Sequence, residues 1–107
     1  MGNPYAGEVT LVIDGRAHVM RLTLGALAEL EESLGAGSLM ALIQRFEEAQ
    51  FSTRDVLALI VAGLRGGGWQ GRAADLLQAD IEGGPVAASR AAARLLTLAF
   101  ALPEGAE

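Results

Sequence analysis

The side chains able to do chemistry in this 107-residue chain are few: one His, one Tyr, no Cys, and 13 carboxylates set against eight Arg. Catalysis needs such groups to converge on one point. His18 falls in an alternating stretch, on the side that also carries Met20 and Leu22, where a packing residue belongs. Glu29 and Glu32, with Glu31 beside them, have the spacing of an acid/base pair, but they lie opposite the leucines of the same helical repeat and read as a solvated face. Gly66-Gly67-Gly68 lacks the following Lys-Ser/Thr of a phosphate-binding P-loop, and it follows a helix instead of a strand. Ser38, Ser52 and Ser89 have no His in local context, and the first two read as helix caps. No spacing of His, Asp or Glu fits a metal site. The absence of Cys removes disulfides, thiolate ligands and thiol nucleophiles. The expectation is therefore a protein that is not an enzyme, with no catalytic residue, no metal ligand and no cofactor.

Charge and hydropathy narrow the partners. The net charge is −5, and the densest basic pair, Arg90 and Arg94, spans a single helical turn. Nucleic-acid affinity comes mainly from neutralising phosphates, so a nucleic-acid partner is not expected. The longest apolar run, Val56 to Leu64, falls well short of the roughly 20 residues that span a bilayer, and Met1 to Gly7 lack the basic flank and apolar core of a signal peptide. No membrane association and a cytoplasmic location are the expectations. Of 55 apolar residues, 20 are Ala and 17 are Leu, with only five aromatics, so core positions are small and helices can approach closely. The length suits one domain, 1–107.

The elements that would position any site can be read in order. Glu8 to Ile13 and Arg16 to Leu24 alternate around Asp14-Gly15, the strongest short hairpin signal, because both turn residues need φ > 0. A two-residue loop sets Ile13 opposite Arg16, Leu11 opposite His18, Val9 opposite Met20 and Glu8 opposite Arg21. Val9, Leu11, Ile13, Met20 and Leu22 then share the packing face, while Val12 and Val19 lie on the other. A hairpin alone has two open edges and is marginal, so it must lie on helices or another strand. Thr23 caps a helix from Leu24 to about Leu34, with Leu24, Leu27, Leu30 and Leu34 on one side and Gly35 as its stop. Ser38 caps a second helix to about Ala49, whose acidic end, Glu47-Glu48, opposes the helix dipole and is expected to fray.

Ser52 or Thr53 caps a third helix, with Asp55 in its first turn and Val56, Leu57, Ile60, Val61 and Leu64 as a wide apolar stripe. This is the expected central helix, stopped by Gly66-Gly67-Gly68. A short helix is expected from Arg72 to Ile81, carrying Leu76, Leu77 and Ile81. A last one runs from Pro85 to about Leu102, with Val86, Ala91, Ala92, Leu95, Leu96, Ala99 and Phe100 inward, and ends at Pro103. The predicted fold is thus α+β: an N-terminal antiparallel hairpin (8–23) packed on four to five short helices (24–102), followed by a tail (103–107). Trp69, the one aromatic in a glycine-rich loop, reads as a plug folding back on the core or, failing that, as an anchor for a partner. With Val12, Val19 and Phe51 it makes up the partner-binding candidates.

Several segments together carry a family resemblance. They are Asn3-Pro4-Tyr5-Ala6-Gly7-Glu8-Val9 leading into the Asp14-Gly15 hairpin, then Arg21-Leu22-Thr23-Leu24-Gly25-Ala26-Leu27-Ala28-Glu29-Leu30-Glu31. Leu34-Gly35-Ala36-Gly37-Ser38-Leu39, Ala62-Gly63-Leu64-Arg65-Gly66-Gly67-Gly68 and Ile81-Glu82-Gly83-Gly84 extend it. The chain resembles the small protein encoded in the gene transfer agents of alphaproteobacteria, in a family classed with phage tail assembly chaperones. The resemblance implies a role in building a phage-like tail, with the tape measure protein and the tail tube protein as partners. It carries over no catalytic residue. Two other readings stand beside it: a structural tail or head–tail joining component that stays in the particle, and a small dimeric adaptor or regulatory protein whose hairpin pairs across the dimer. Self-association is expected from the open hairpin edges and the Ala-rich surface. Apolar surface between hairpin and helices is the expected seat for a tape measure helix, by helix-in-groove packing.

Overall fold

The structure, a computed structural model, describes residues 7–34 and 38–100. The Gly35 stop, the Ser38 side-chain cap and the Pro103 stop lie outside the described residues. Two strands, β1 (Glu8–Ile13) and β2 (Arg16–Arg21), are followed by α1 (Leu24–Leu34), α2 (Ser38–Glu47), α3 (Thr53–Gly66), α4 (Ala73–Leu76) and α5 (Gly84–Phe100). The α+β architecture expected from the sequence is the one observed. The hairpin has the predicted register, Glu8 opposite Arg21 through Ile13 opposite Arg16. Asp14 and Gly15 both take positive φ, 52° and 78°, as a two-residue turn that matches strand twist requires. The alternation then buries Val9, Leu11, Ile13 and Met20 together.

Helix α3 is the central element, with β2, α1, α4 and α5 all packed around it. Leu59, Ile60 and Leu64 on α3 are fully or almost fully buried, with Met20, Leu30, Leu42 and Leu95 closing on them from β2, α1, α2 and α5. Two caps work as expected: Thr23 Oγ1 accepts from the Ala26 amide at 3.1 Å, and Ser52 is the N-cap of α3. On α5 the buried stripe is Ala88, Ala91, Ala92, Leu95 and Leu96, the i, i+3, i+4, i+7, i+8 pattern of one helix face.

Several expectations about facing are corrected. Leu24 and Val86, predicted inward, are exposed, because each lies two residues ahead of the first buried residue of its helix, about 200° around the axis. Phe100 is exposed as well, on the flank of the α5 stripe. Leu77, next to the buried Leu76, projects into solvent: it stands just past the end of α4, about 100° around the axis from Leu76. The predicted helix over 72–81 shrinks to the single turn α4. Beyond Leu76 the chain is drawn onto β1: Ile81 forms an antiparallel bridge with Ile13, Asp14 N donates to Asp80 O at 2.7 Å, and Glu82 N donates to Val12 O at 3.0 Å. Pairing with a strand edge outweighs the helical tendency of Leu-Leu-Gln-Ala.

That pairing also corrects the expectation of two open hairpin edges. The outer edge of β1 is taken at its turn end by residues 80–82. Along β2 the end of α3 lies on the strand backbone: a Cβ placed on Gly66 would collide with the carbonyl oxygen of Arg21, and one on Gly67 with that of Val19. These stretches of edge are occupied within the chain, while among the described residues no strand pairs along the outer side of β1 ahead of Val12.

The end of α2 is closed instead of frayed. Ala49 takes φ 56°, and Gln50 N donates back to Arg45 O at 2.7 Å, the six-to-one bond of a Schellman stop. A left-handed alanine costs about 1 kcal/mol. Ala49→Gly should therefore raise stability by about 0.5 kcal/mol in denaturant melts, the relief of strain being partly offset by a freer unfolded chain.

Candidate functional site

The sequence candidates do not converge. Val12 and Val19 lie half-buried on the outer face of the hairpin. Trp69 packs against the core as a plug, its indole lying over Gly71 so closely that a Cβ there would collide with the ring. Phe51 stacks on Phe46, centroids 4.3 Å apart and planes 7° from parallel, at the joint between α2 and α3. Of the four, Phe51 alone lines the most apolar open groove.

That groove, of about 490 Å³, has α3 as its floor through Val56, Leu57 and Ile60. One wall is the α4 segment, with Leu76, Leu77 and Ile81, and the other is the start of α5, with Pro85 and Ala88. Leu77 stands at the rim with 71% of its surface exposed, and Val86 is exposed on the same end of α5. The space between hairpin and helices, the seat expected from the sequence, is filled by buried core. The open apolar groove lies instead between helices. In the sequence this wall is marked by the pair Leu76-Leu77, of which Leu76 turns inward and Leu77 stays at the rim. A second depression, of about 590 Å³ between α1 and α3, is more polar at its rim, with Glu29, Glu32, Arg54 and Arg65. Across it Arg65 Nη1 donates to Glu29 Oε1 at 3.0 Å, an exposed pair of small energetic weight.

The joint beside Phe51 is held electrostatically. The Arg45 guanidinium meets the Asp55 carboxylate in a fork, Nε to Oδ2 and Nη2 to Oδ1, both at 2.8 Å. Asp55 also completes a capping box: its Oδ2 accepts from the Ser52 amide at 2.9 Å, and its own amide donates to Ser52 Oγ at 3.1 Å. The Arg45 hydrogen bond lowers the pKa of Asp55, outweighing burial, which acts the other way. This cross-helix pair is a feature that periodicity could not reveal, because Arg45 and Asp55 lie on different helices.

His18 lies half-buried on the hairpin. It shares a shallow pocket with Asp14, Asp75 and Trp69, but the Asp14 carboxylate already accepts from the Asp80 amide and that of Asp75 from the Arg72 amide. Among the described residues no group of three or more His, Asp or Glu could hold a metal ion, and no helix is long and apolar enough to cross a membrane.

Residues 6–102 match the model of a family described as phage tail tube protein, GTA-gp10. The chain belongs to this family. It is accordingly a phage or gene transfer agent tail-related protein, as its resemblance implied, and a tail family of this kind points to a structural and not an enzymatic role. No curated protein and no solved structure matches the chain. For a tail-family protein the partners to expect are, in general, other tail-assembly proteins.

Proposed function

We propose that this protein is a tail assembly chaperone, binding an apolar helical stretch of the tape measure protein in the groove between α3, the α4 segment and α5 until tube subunits displace it. The observation that supports the reading is the groove itself, apolar along its floor and walls and rimmed by the exposed Leu77. An amphipathic helix lays its apolar face into such a groove, with affinity coming from buried side chains at i, i+3, i+4 and i+7. Co-expression provides the test: the tape measure protein should be soluble with this protein and aggregate without it. Equal solubility in both conditions defeats the reading.

The groove makes a sharper prediction. Leu77 is exposed in the free protein, so Leu77→Asp should leave thermal stability unchanged. Burying a leucine is worth about 1.5–3 kcal/mol, so the variant should weaken binding to a tape measure fragment by about tenfold or more in a titration.

The family description favours a second reading, in which the protein is a lasting part of the tail tube. Mass spectrometry of purified particles separates the two. A tube component would be present at stoichiometric abundance, whereas a chaperone would be absent or scarce.

A further inference from the structure

One wall of the groove differs from the floor and from the other wall. Helices α3 and α5 are continuous and carry most of the buried core, but residues 69–82 form a strap with one helical turn. Glycines in left-handed conformations stand at both ends of the strap: Gly68 at φ 104° before it, Gly83 at 85° and Gly84 at 68° after it. Between them the strap is held by four side chains that reach inward, Trp69, Leu76, Ala79 and Ile81. A short ladder fastens it to the hairpin turn, with Asp14 N to Asp80 O at 2.7 Å, Asp80 N to Asp14 Oδ1 at 2.8 Å and Glu82 N to Val12 O at 3.0 Å. Asp14 and Asp80 are both exposed, so water competes directly for the bonds between them. Segments with few buried contacts and solvent-exposed hydrogen bonds open at free energies below that of global unfolding.

We propose that residues 69–82 are a latch that opens about its flanking glycines as a unit, without unfolding the rest of the protein, and so widens the groove over α3. The latch rests on the reading of that groove as the binding surface and adds how the surface is controlled. In the closed state Leu76 and Ile81 fill the groove side of α3. When the ladder to Asp14 breaks, the same movement exposes more of the floor formed by Val56, Leu57 and Ile60 to an incoming helix. The Asp14-Gly15 turn then has a second role beyond reversing the chain, as the catch that the strap engages.

Hydrogen exchange on the intact protein tests the latch directly. The amides of Asp14, Asp80 and Glu82 should exchange together, at least tenfold less protected than those of Leu59 to Leu64 in α3. Exchange of these three only at the rate of global unfolding overturns the proposal. Asp14→Gly keeps the left-handed turn but removes the acceptor of the Asp80 amide. It should speed exchange across the strap several-fold while leaving α3 relatively unmoved, and an equal acceleration of both counts against a latch.

Locking supplies an independent arm. Ile13 and Ile81 face each other across the antiparallel bridge, a placement within disulfide reach, and the chain has no other cysteine to interfere. Ile13→Cys/Ile81→Cys can be compared with itself, oxidised against reduced, using the apolar dye anilinonaphthalene sulfonate as the groove probe. The reduced form should bind the dye several-fold more than the oxidised form, and equal dye binding overturns the proposal. Neither arm uses the tape measure protein, so failure of the latch and failure of the chaperone reading are separately visible.

Discussion

Replacing Gly66 or Gly67 with alanine is expected to destabilise the protein by about 3 kcal/mol or more each, a fall in melting temperature of about 10–20 °C for a chain of this size. Helix propensity alone gives the opposite sign at Gly66, since alanine inside a helix is favoured over glycine by up to about 1 kcal/mol. The difference lies in what rests on the helix. Gly63, Gly66 and Gly67 recur at i, i+3 and i+4, so they form one smooth strip along α3. A methyl group on Gly66 would run into the Arg21 carbonyl oxygen, and one on Gly67 into that of Val19. Both obstacles are strand backbone, which cannot swing aside as a side chain can. The end of α3 would have to lift away from β2, opening the contact around Met20, which is completely buried. Gly63 provides the internal control. The nearest obstacle to its Cβ is Leu95 Cδ1 at 2.7 Å, the far end of a flexible side chain, so Gly63→Ala should cost clearly less. Thermal melts of the three single variants decide the matter. A neutral or stabilising Gly66→Ala would mean that the strand does not lie on the helix as described.

The three glycines also show where a sequence stops being readable. Their composition marks the end of a helix, and α3 does end there, with Gly67 as its C-cap. Composition does not show that two of them are needed for a close approach between backbones, because that depends on a strand more than 40 residues earlier. The hairpin's register was legible to the residue, since it follows from a two-residue turn, although β2 ends at Arg21, short of the expected Thr23. Helices α1, α3 and α5 were legible for similar local reasons of capping and periodicity. The errors cluster where a distant partner overrides local preference. The helix expected over 72–81 yields to pairing with β1, and parts of the edges expected to be open, the turn end of β1 and the Val19–Arg21 stretch of β2, are covered by segments from elsewhere in the chain. The same logic applies to the candidate site. Val12, Val19, Phe51 and Trp69 are individually plausible contact residues, but only Phe51 reaches the groove, whose walls come from three separate elements.

The second large effect is expected at the Arg45–Asp55 pair. Asp55 is 5% exposed, yet it accepts three hydrogen bonds, two from Arg45 and one from the Ser52 amide. Asp55→Ala removes the carboxylate half of the capping box on the central helix and the anchor of α2 together, at an expected cost of about 2–4 kcal/mol in denaturant melts. Arg45→Ala should also destabilise at neutral pH, by stranding a buried carboxylate without its cation. The double variant should lose less than the sum of the two, because the second substitution removes a charge already stranded by the first. The sign of the pH dependence follows from the lowered pKa. A carboxyl group whose folded pKa lies below its unfolded value, ordinarily 3.8, stabilises the fold fully above that value and loses its contribution as pH falls through the folded pKa. The advantage of the wild type over Asp55→Asn should therefore be constant from neutral pH down to about 5 and shrink below about pH 4. An advantage that grows on acidification would show that Asp55 enters the fold protonated, and that hydrogen bonding to a neutral acid, not an ion pair, fastens α2 to α3.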